Sequence, residues 1–244
     1  MTSTAGSQSP ISTWVLRPLA AVAVSAAALM APQTAGLAAA APGSSCPDVE
    51  VVFARGTFEA PGVGATGQAF VDALTAQLPG KTVDAYGVNY PASLDFQAAA
   101  QGVGDAGDKI SSTVASCPDT KIVLGGYSQG AAVAAYTTAA AVPAGYTLPA
   151  GISGPLPQAD AASVAAVVLF GTPDPWFLGL VDHSAPPIAI GPQYVAKTLQ
   201  LCNPGDPVCY PGGLDRTAHS AYKDNGTAAQ AATFVVSAVS PATI

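Results

Sequence analysis

Gly126-Tyr127-Ser128-Gln129-Gly130 has the form G-x-S-x-G, with the run Lys121–Leu124 ahead of it and Ala131–Ala135 behind. A strand, a sharp turn and a helix in that order would hold a serine at a sheet edge, and flanking glycines remove the side chains that would collide there. Ser128 is therefore the expected nucleophile. Its hydroxyl needs a base to take the proton, and the chain has only two histidines, His183 and His219. Hydrolases built on this turn run in the order serine, acid, histidine. His219 follows every candidate acid and precedes the last apolar segment, so it is the expected base, and His183 reads as a loop histidine. The third group must fix the imidazole tautomer and stabilise its charged form. Asp160, Asp174, Asp182, Asp206 and Asp215 are available. Asp206 alone lies inside a cysteine-bounded loop, Cys202-Asn-Pro-Gly-Asp-Pro-Val-Cys209, where a bridge would fix its direction. Asp215 is the alternative, expected to be solvated. An oxyanion formed on attack by Ser128 needs aimed N–H donors, and the amide of Gln129, next after the nucleophile, supplies one.

The elements that must position these residues are legible as alternating apolar runs and small-residue segments. Val49–Phe53, Thr82–Val88, Ile122–Leu124 and Val164–Phe170 read as strands, and their continuous Val/Ile/Leu character predicts burial on both faces. Gly67–Leu78, Phe96–Ser116, Gln129–Ala141 and Thr227–Val239 are long and Ala-rich enough for helices, although Gly102, Gly104 and Gly107 weaken the second. The alternation predicts an α/β domain with a mostly parallel central sheet flanked by helices. The Pro/Gly-rich stretch from Pro143 to Pro157 is expected to be a surface loop of the same domain. There is no internal repeat.

The chain has 244 residues, 50% hydrophobic and 9% charged, which excludes a disordered polypeptide. A net charge of −7 without any Lys/Arg cluster argues against nucleic acid and anionic membrane surfaces as partners. Residues 1–41 carry one charge, Arg17, then the apolar stretch Leu19–Met30 and the small residues Ala38–Ala41. This is the order of a secretory signal peptide. As a helix the apolar stretch would be about 18 Å long, short of the roughly 30 Å hydrocarbon core, so no stable transmembrane anchor is expected. Residues 42–244 then form a single domain, secreted and either extracellular or associated with the cell wall. Cys46, Cys117, Cys202 and Cys209 all lie in that domain, and an even count behind an export signal reads as two disulfides with three possible pairings. The simplest pins Cys202 to Cys209 and leaves Cys46 for Cys117. No metal-ligand spacing is present, and neither metal nor other cofactor is expected.

Taken in order, Val52-Phe-Ala-Arg-Gly-Thr57, Gly125-Gly-Tyr-Ser-Gln-Gly130, Leu169-Phe-Gly171, Cys202–Cys209 and Ala218-His219 resemble the cutinase family of secreted serine esterases, especially its actinobacterial cutinase-like members. The resemblance runs from Cys46 to the terminal helix. It implies an α/β-hydrolase fold without a large lid, with Ser128 as nucleophile, Asp206 as orienting acid and His219 as base. It implies the same two cysteine pairs, and Thr57 as a second oxyanion donor where many fungal members carry serine. The implied reaction is hydrolysis of an acyl ester or lipid through an acyl-enzyme, by a monomer, on short- to medium-chain fatty acyl esters. Phospholipid, triacylglycerol, mycolate-like lipid or acetylated polysaccharide esters are alternatives on the same machinery. A non-catalytic surface protein is a further one, for which a broken triad would be expected. Asp215 and Arg216 place charge before His219 where fungal members are mostly apolar, which argues for soluble esters over waxy surfaces. Leu94 and Phe96 are candidates for an apolar wall. Asn225-Gly-Thr227 fits a glycosylation sequon.

Overall fold

A computed structural model describes residues 46–240; the expected signal peptide, residues 1–41, lies outside the described residues. Five strands form one sheet in the order β2-β1-β3-β4-β5, and every neighbouring pair is parallel. They are β1 (Val49–Ala54), β2 (Val83–Gly87), β3 (Lys121–Tyr127), β4 (Val164–Phe170) and β5 (Thr198–Leu201). The helices are α1 (Gly64–Gln77), α2 (Ala99–Ser116), α3 (Gln129–Thr137), α4 (Pro175–Val181), α5 (Arg216–Ser220) and α6 (Thr227–Val239).

Strand side chains alternate between two cores, as the period of two requires. Val51, Phe53, Val123, Val168 and Phe170 pack with Phe70 and Leu74 of α1 and Ala231 and Val235 of α6. Val52, Ala54, Leu124, Val167 and Leu169 pack on the opposite face with Val103 and Ile110 of α2 and Val133 of α3. Both faces are covered, so the central strands read as unbroken apolar runs. Glu50 interrupts the pattern of β1 and is nonetheless buried. Its carboxylate accepts from Thr113 Oγ1 at 2.6 Å and pairs with Lys109 Nζ at 2.5 Å, which supplies the partners a buried charge requires.

The structure departs from the sequence expectation in several places. β2, expected to be buried on both faces, is an edge strand with Asp84 and Ala85 exposed, and α1 starts at Gly64, three residues early. β5 was not anticipated, because Thr-Leu-Gln-Leu is short and only Leu201 is fully buried. Neither were α4 and α5, of 7 and 5 residues, which start at Asp174 and Asp215 as side-chain caps rather than showing a long apolar period. The helix expected to reach Ala141 ends at Thr137: the Thr137 carbonyl accepts from Leu156 N–H, and the Thr138 hydroxyl turns back on the Ala135 carbonyl. The helix expected from Phe96 begins at Ala99, after a 3-10 turn over Phe96–Ala98. Gly102 has a packing reason: a Cβ there would come within 3.0 Å of Val133 Cγ1 and 3.1 Å of the Tyr90 ring.

The sheet order reverses direction beside β1, since β2 lies on one side of it and β3, β4 and β5 on the other. The crevice at the carboxyl ends of such strands is where open α/β sheets bind ligands. Thr57 follows β1, and Ser128 follows β3.

Candidate active site

Ser128 sits between β3 and α3 with φ 56° and ψ −121°, a left-handed backbone that costs a non-glycine residue about 1–3 kcal/mol. The turn is tight enough that a Cβ on Gly126 would lie 2.0 Å from the Gly130 carbonyl oxygen, and one on Gly130 would lie 2.0 Å from that of Ala54. These approaches explain the two glycines of the motif. Ser128 N–H donates to the Phe170 carbonyl at 2.9 Å, which ties the turn to β4.

His219 lies in α5, whose first turn is capped by Asp215 accepting from Thr217 N–H at 2.8 Å. Its Nε2 is 2.9 Å from Ser128 Oγ, and its Nδ1 is 2.9 Å from Asp206 Oδ2. Tyr127 O–H donates to the His219 carbonyl at 2.7 Å, and the two rings lie 5.0 Å apart. Asp206 is 0% exposed. Burial alone would raise its carboxyl pKa, but hydrogen bonds from His219, Tyr222 O–H and Val208 N–H more than offset this and hold it below the ordinary value. Gly171 lies where this group meets the end of β4: a Cβ there would sit 3.2 Å from Asp206 Oδ2 and from His219 Cε1.

The remaining sequence candidates divide clearly. Cys202–Cys209 and Cys46–Cys117 are both disulfides, and the first closes the loop around Asp206. Asp215 is exposed and caps α5; it does not approach Nδ1 of His219. His183 is exposed in another loop. Thr57 and Gln129 line the same cleft as Ser128 and His219. Gln129 is the first residue of α3, where the amide lacks an intrahelical partner. The Thr57 loop is braced on both sides. Arg55 donates to the carbonyls of Glu59, Val88 and Tyr90, while Glu59 accepts from Gly56 N–H at 2.6 Å and Ala65 N–H at 2.7 Å.

Two contributors were not anticipated. Tyr222 is fully buried and donates to Asp206 Oδ2 at 2.6 Å. Asn203 donates its backbone N–H to Tyr222 Oη and its side-chain amide to the Ala218 carbonyl at 2.7 Å, so it binds the disulfide loop to α5. Both stand near recognisable motifs, but nothing in their spacing distinguishes them from ordinary polar residues. Asn225, the sequon residue, donates its amide to Asn203 Oδ1 at 2.9 Å.

The cleft has a volume of about 550 Å³. Its walls include Phe58, Leu94, Phe177, Leu178 and Val181, with Arg216 at the side of His219. Phe58 and Leu94 are 74% and 65% exposed, so the mouth is apolar on that side. Asp215 and Arg216 do not form an ion pair among the described residues; Asp215 is spent on Thr217. Such a site brings together a serine hydroxyl, a histidine held by a buried carboxylate, the backbone of Thr57 and Gln129, and an apolar channel. That is the equipment for acyl transfer.

A family profile described as Cutinase matches residues 45–239. Carboxylesterase Culp1 of Mycobacterium tuberculosis (strain ATCC 25618 / H37Rv) is 44% identical over 221 residues, covering 90% of this chain and 94% of that protein. Phospholipase Culp4 of the same strain is 47% identical over 224 residues, covering 92% of each. Among solved structures, Trichoderma reesei cutinase in complex with a phosphonate inhibitor aligns at a TM-score of 0.59 and 37% identity, over 80% of this chain and 78% of that one.

Proposed function

We propose, for a chain that belongs to the cutinase family and is an esterase, that ester hydrolysis runs through an acyl-enzyme on Ser128. In this mechanism Ser128 Oγ attacks the ester carbonyl while His219 Nε2 takes its proton. Asp206 holds Nδ1 and stabilises the imidazolium. The amides of Gln129 and Thr57 receive the developing oxyanion. His219 then protonates the departing alcohol, and water, activated by the same imidazole, releases the acid and restores Ser128. No cofactor takes part in these steps.

The observation that carries this reading is the unbroken chain of hydrogen bonds from Ser128 through His219 to Asp206, opening on an apolar cleft. It also speaks against a purely binding role, for which a complete chain would be unnecessary. The preferred substrates in this reading are short- to medium-chain fatty acyl esters, handled by a secreted monomer. The two disulfides support export, because such bonds persist in oxidising compartments. Among the described residues no helix is long and apolar enough to cross a membrane. Phospholipid is a second reading, favoured by the similarity to Culp4 and by the apolar mouth.

A fluorophosphonate probe tests the mechanism directly. Covalent labelling of the wild type and its loss in Ser128→Ala, together with loss of p-nitrophenyl butyrate hydrolysis, are expected. Labelling that survives in Ser128→Ala would place the nucleophile elsewhere.

A further inference from the structure

A second, smaller cavity of about 70 Å³ adjoins the cleft. Phe96, Ala99, Tyr136, Asp182 and Ala185 line both cavities and form their common wall. The far side is built by Ala100 and Val103 of α2 and by Val142, Tyr146, Leu148 and Pro155 of the loop between α3 and β4. We propose that this pocket seats the distal methylenes of the acyl chain, so that the enzyme selects medium-chain over acetyl esters. The proposal rests on the ester-hydrolysis reading above and names the acyl group that the site prefers.

Three features support this occupant. First, α3 carries Tyr136 away from Ser128 by about 12 Å along the helix axis, a distance that an acetyl group does not span and a medium-length chain does. Second, the polar edge of the wall is already occupied. Tyr136 O–H donates to the Pro186 carbonyl, and Asp182 Oδ1 accepts from Ser184 N–H at 2.9 Å and Ser184 O–H at 2.6 Å. Most of what remains for a ligand is ring and alkyl surface from Phe96, Val103, Val142, Leu148 and Pro155. Third, Asp182 is the one charged side chain lining the pocket, and its carboxylate repels a tail ending in a carboxylate. The ligand class is therefore an uncharged alkyl chain. The volume accommodates only a few methylene groups, and each that leaves water for this wall should raise kcat/KM roughly three- to fourfold.

The test is a series of p-nitrophenyl esters from acetate to decanoate, each kept below its micelle-forming concentration, on wild type, Leu148→Trp and Val142→Phe. Both substitutions fill the side pocket from residues that do not line the catalytic cleft. Wild-type kcat/KM should climb about tenfold or more from butyrate to octanoate. Each filled variant should keep its acetate rate within about twofold and lose about tenfold on octanoate, at the value set by the displaced methylenes. The acetate rate reports whether a variant has folded, and Val142→Phe replaces Leu148→Trp should the latter not fold. An octanoate-to-acetate ratio unchanged in the filled variants would overturn the pocket assignment while leaving the ester-hydrolysis reading intact. Acetate hydrolysis that persists in Ser128→Ala would instead count against that reading, and with it the assignment.

Discussion

Asp206 keeps its charge inside the protein because three donors meet it, and Tyr222 is the one that neither the chain order nor the loop spacing announces. Tyr222→Phe keeps the ring and removes the donor. A hydrogen bond to a buried carboxylate contributes about 1.5–3 kcal/mol, so chemical denaturation at pH 7 should show a loss of that size. The sign with pH follows from linkage. A carboxyl held lower in the folded than in the unfolded chain contributes stability above the unfolded value of about 3.9, and that contribution disappears as pH falls through the folded value. The gap between wild type and Tyr222→Phe should therefore narrow in acid below about pH 4. Because Asp206 then holds His219 less firmly, kcat for p-nitrophenyl butyrate should fall about tenfold while KM stays within about twofold. A variant equal to wild type in stability and kcat would assign Tyr222 to packing alone.

The elements around the site divide into those that carry the fold and those that aim a single side chain. The loop from Cys202 to Cys209 belongs to the second kind. Closing its sequence separation of 7 restricts the unfolded chain less than closing the separation of 71 between Cys46 and Cys117. The chain-entropy relation gives about 2.5 against about 4.4 kcal/mol. Replacing Cys202 and Cys209 by serine should accordingly lower Tm less than replacing Cys46 and Cys117, yet lower kcat more, because Asp206 loses the frame that directs it. Equal kcat in the two double variants would show that the turn hydrogen bonds suffice. The five-residue helix α5 has a similar role. Asp215 is its N-cap, so Asp215→Asn, which preserves a capping oxygen, should leave stability and kcat nearly unchanged, whereas Asp215→Ala should cost about 1 kcal/mol in urea unfolding. A kcat loss of the size produced by Asp206→Asn would instead make Asp215 the orienting acid.

At the scale of the molecule, the mouth of the cleft decides what kind of substrate can approach. Phe58 and Leu94 offer exposed apolar surface, and Arg216 adds a charge beside His219. Pressing that guanidinium against a wax or polyester surface removes water from it without supplying a counter-ion. A single soluble ester enters the cleft without this cost. Arg216→Val should raise the rate on a polyester film several-fold relative to p-nitrophenyl butyrate, and it leaves the Asp215 cap in place. A film-to-soluble ratio no higher than that of wild type would remove Arg216 as the determinant of substrate class.

Residue type and chain order were enough to nominate Ser128, Asp206 and His219, which the fold joins by hydrogen bonds, because a glycine-flanked serine, a scarcity of histidines and one cysteine-bounded aspartate leave few alternatives. Local pattern was enough for β4 at Val164–Phe170 and α6 at Thr227–Val239, whose apolar runs are long and unbroken. The parallel sheet followed from the central strands β1, β3 and β4, which are buried on both faces, and not from β2, an exposed edge. Tertiary structure alone decided the rest. β5, α4 and α5 are too short to show a period and are held by sheet pairing and aspartate caps. Tyr222 and Asn203 gain their roles from partners that the fold brings to them, such as Asp206 and Ala218. The side pocket exists because the loop between α3 and β4 closes over α2, and no local rule of sequence encodes the meeting of two segments so far apart along the chain.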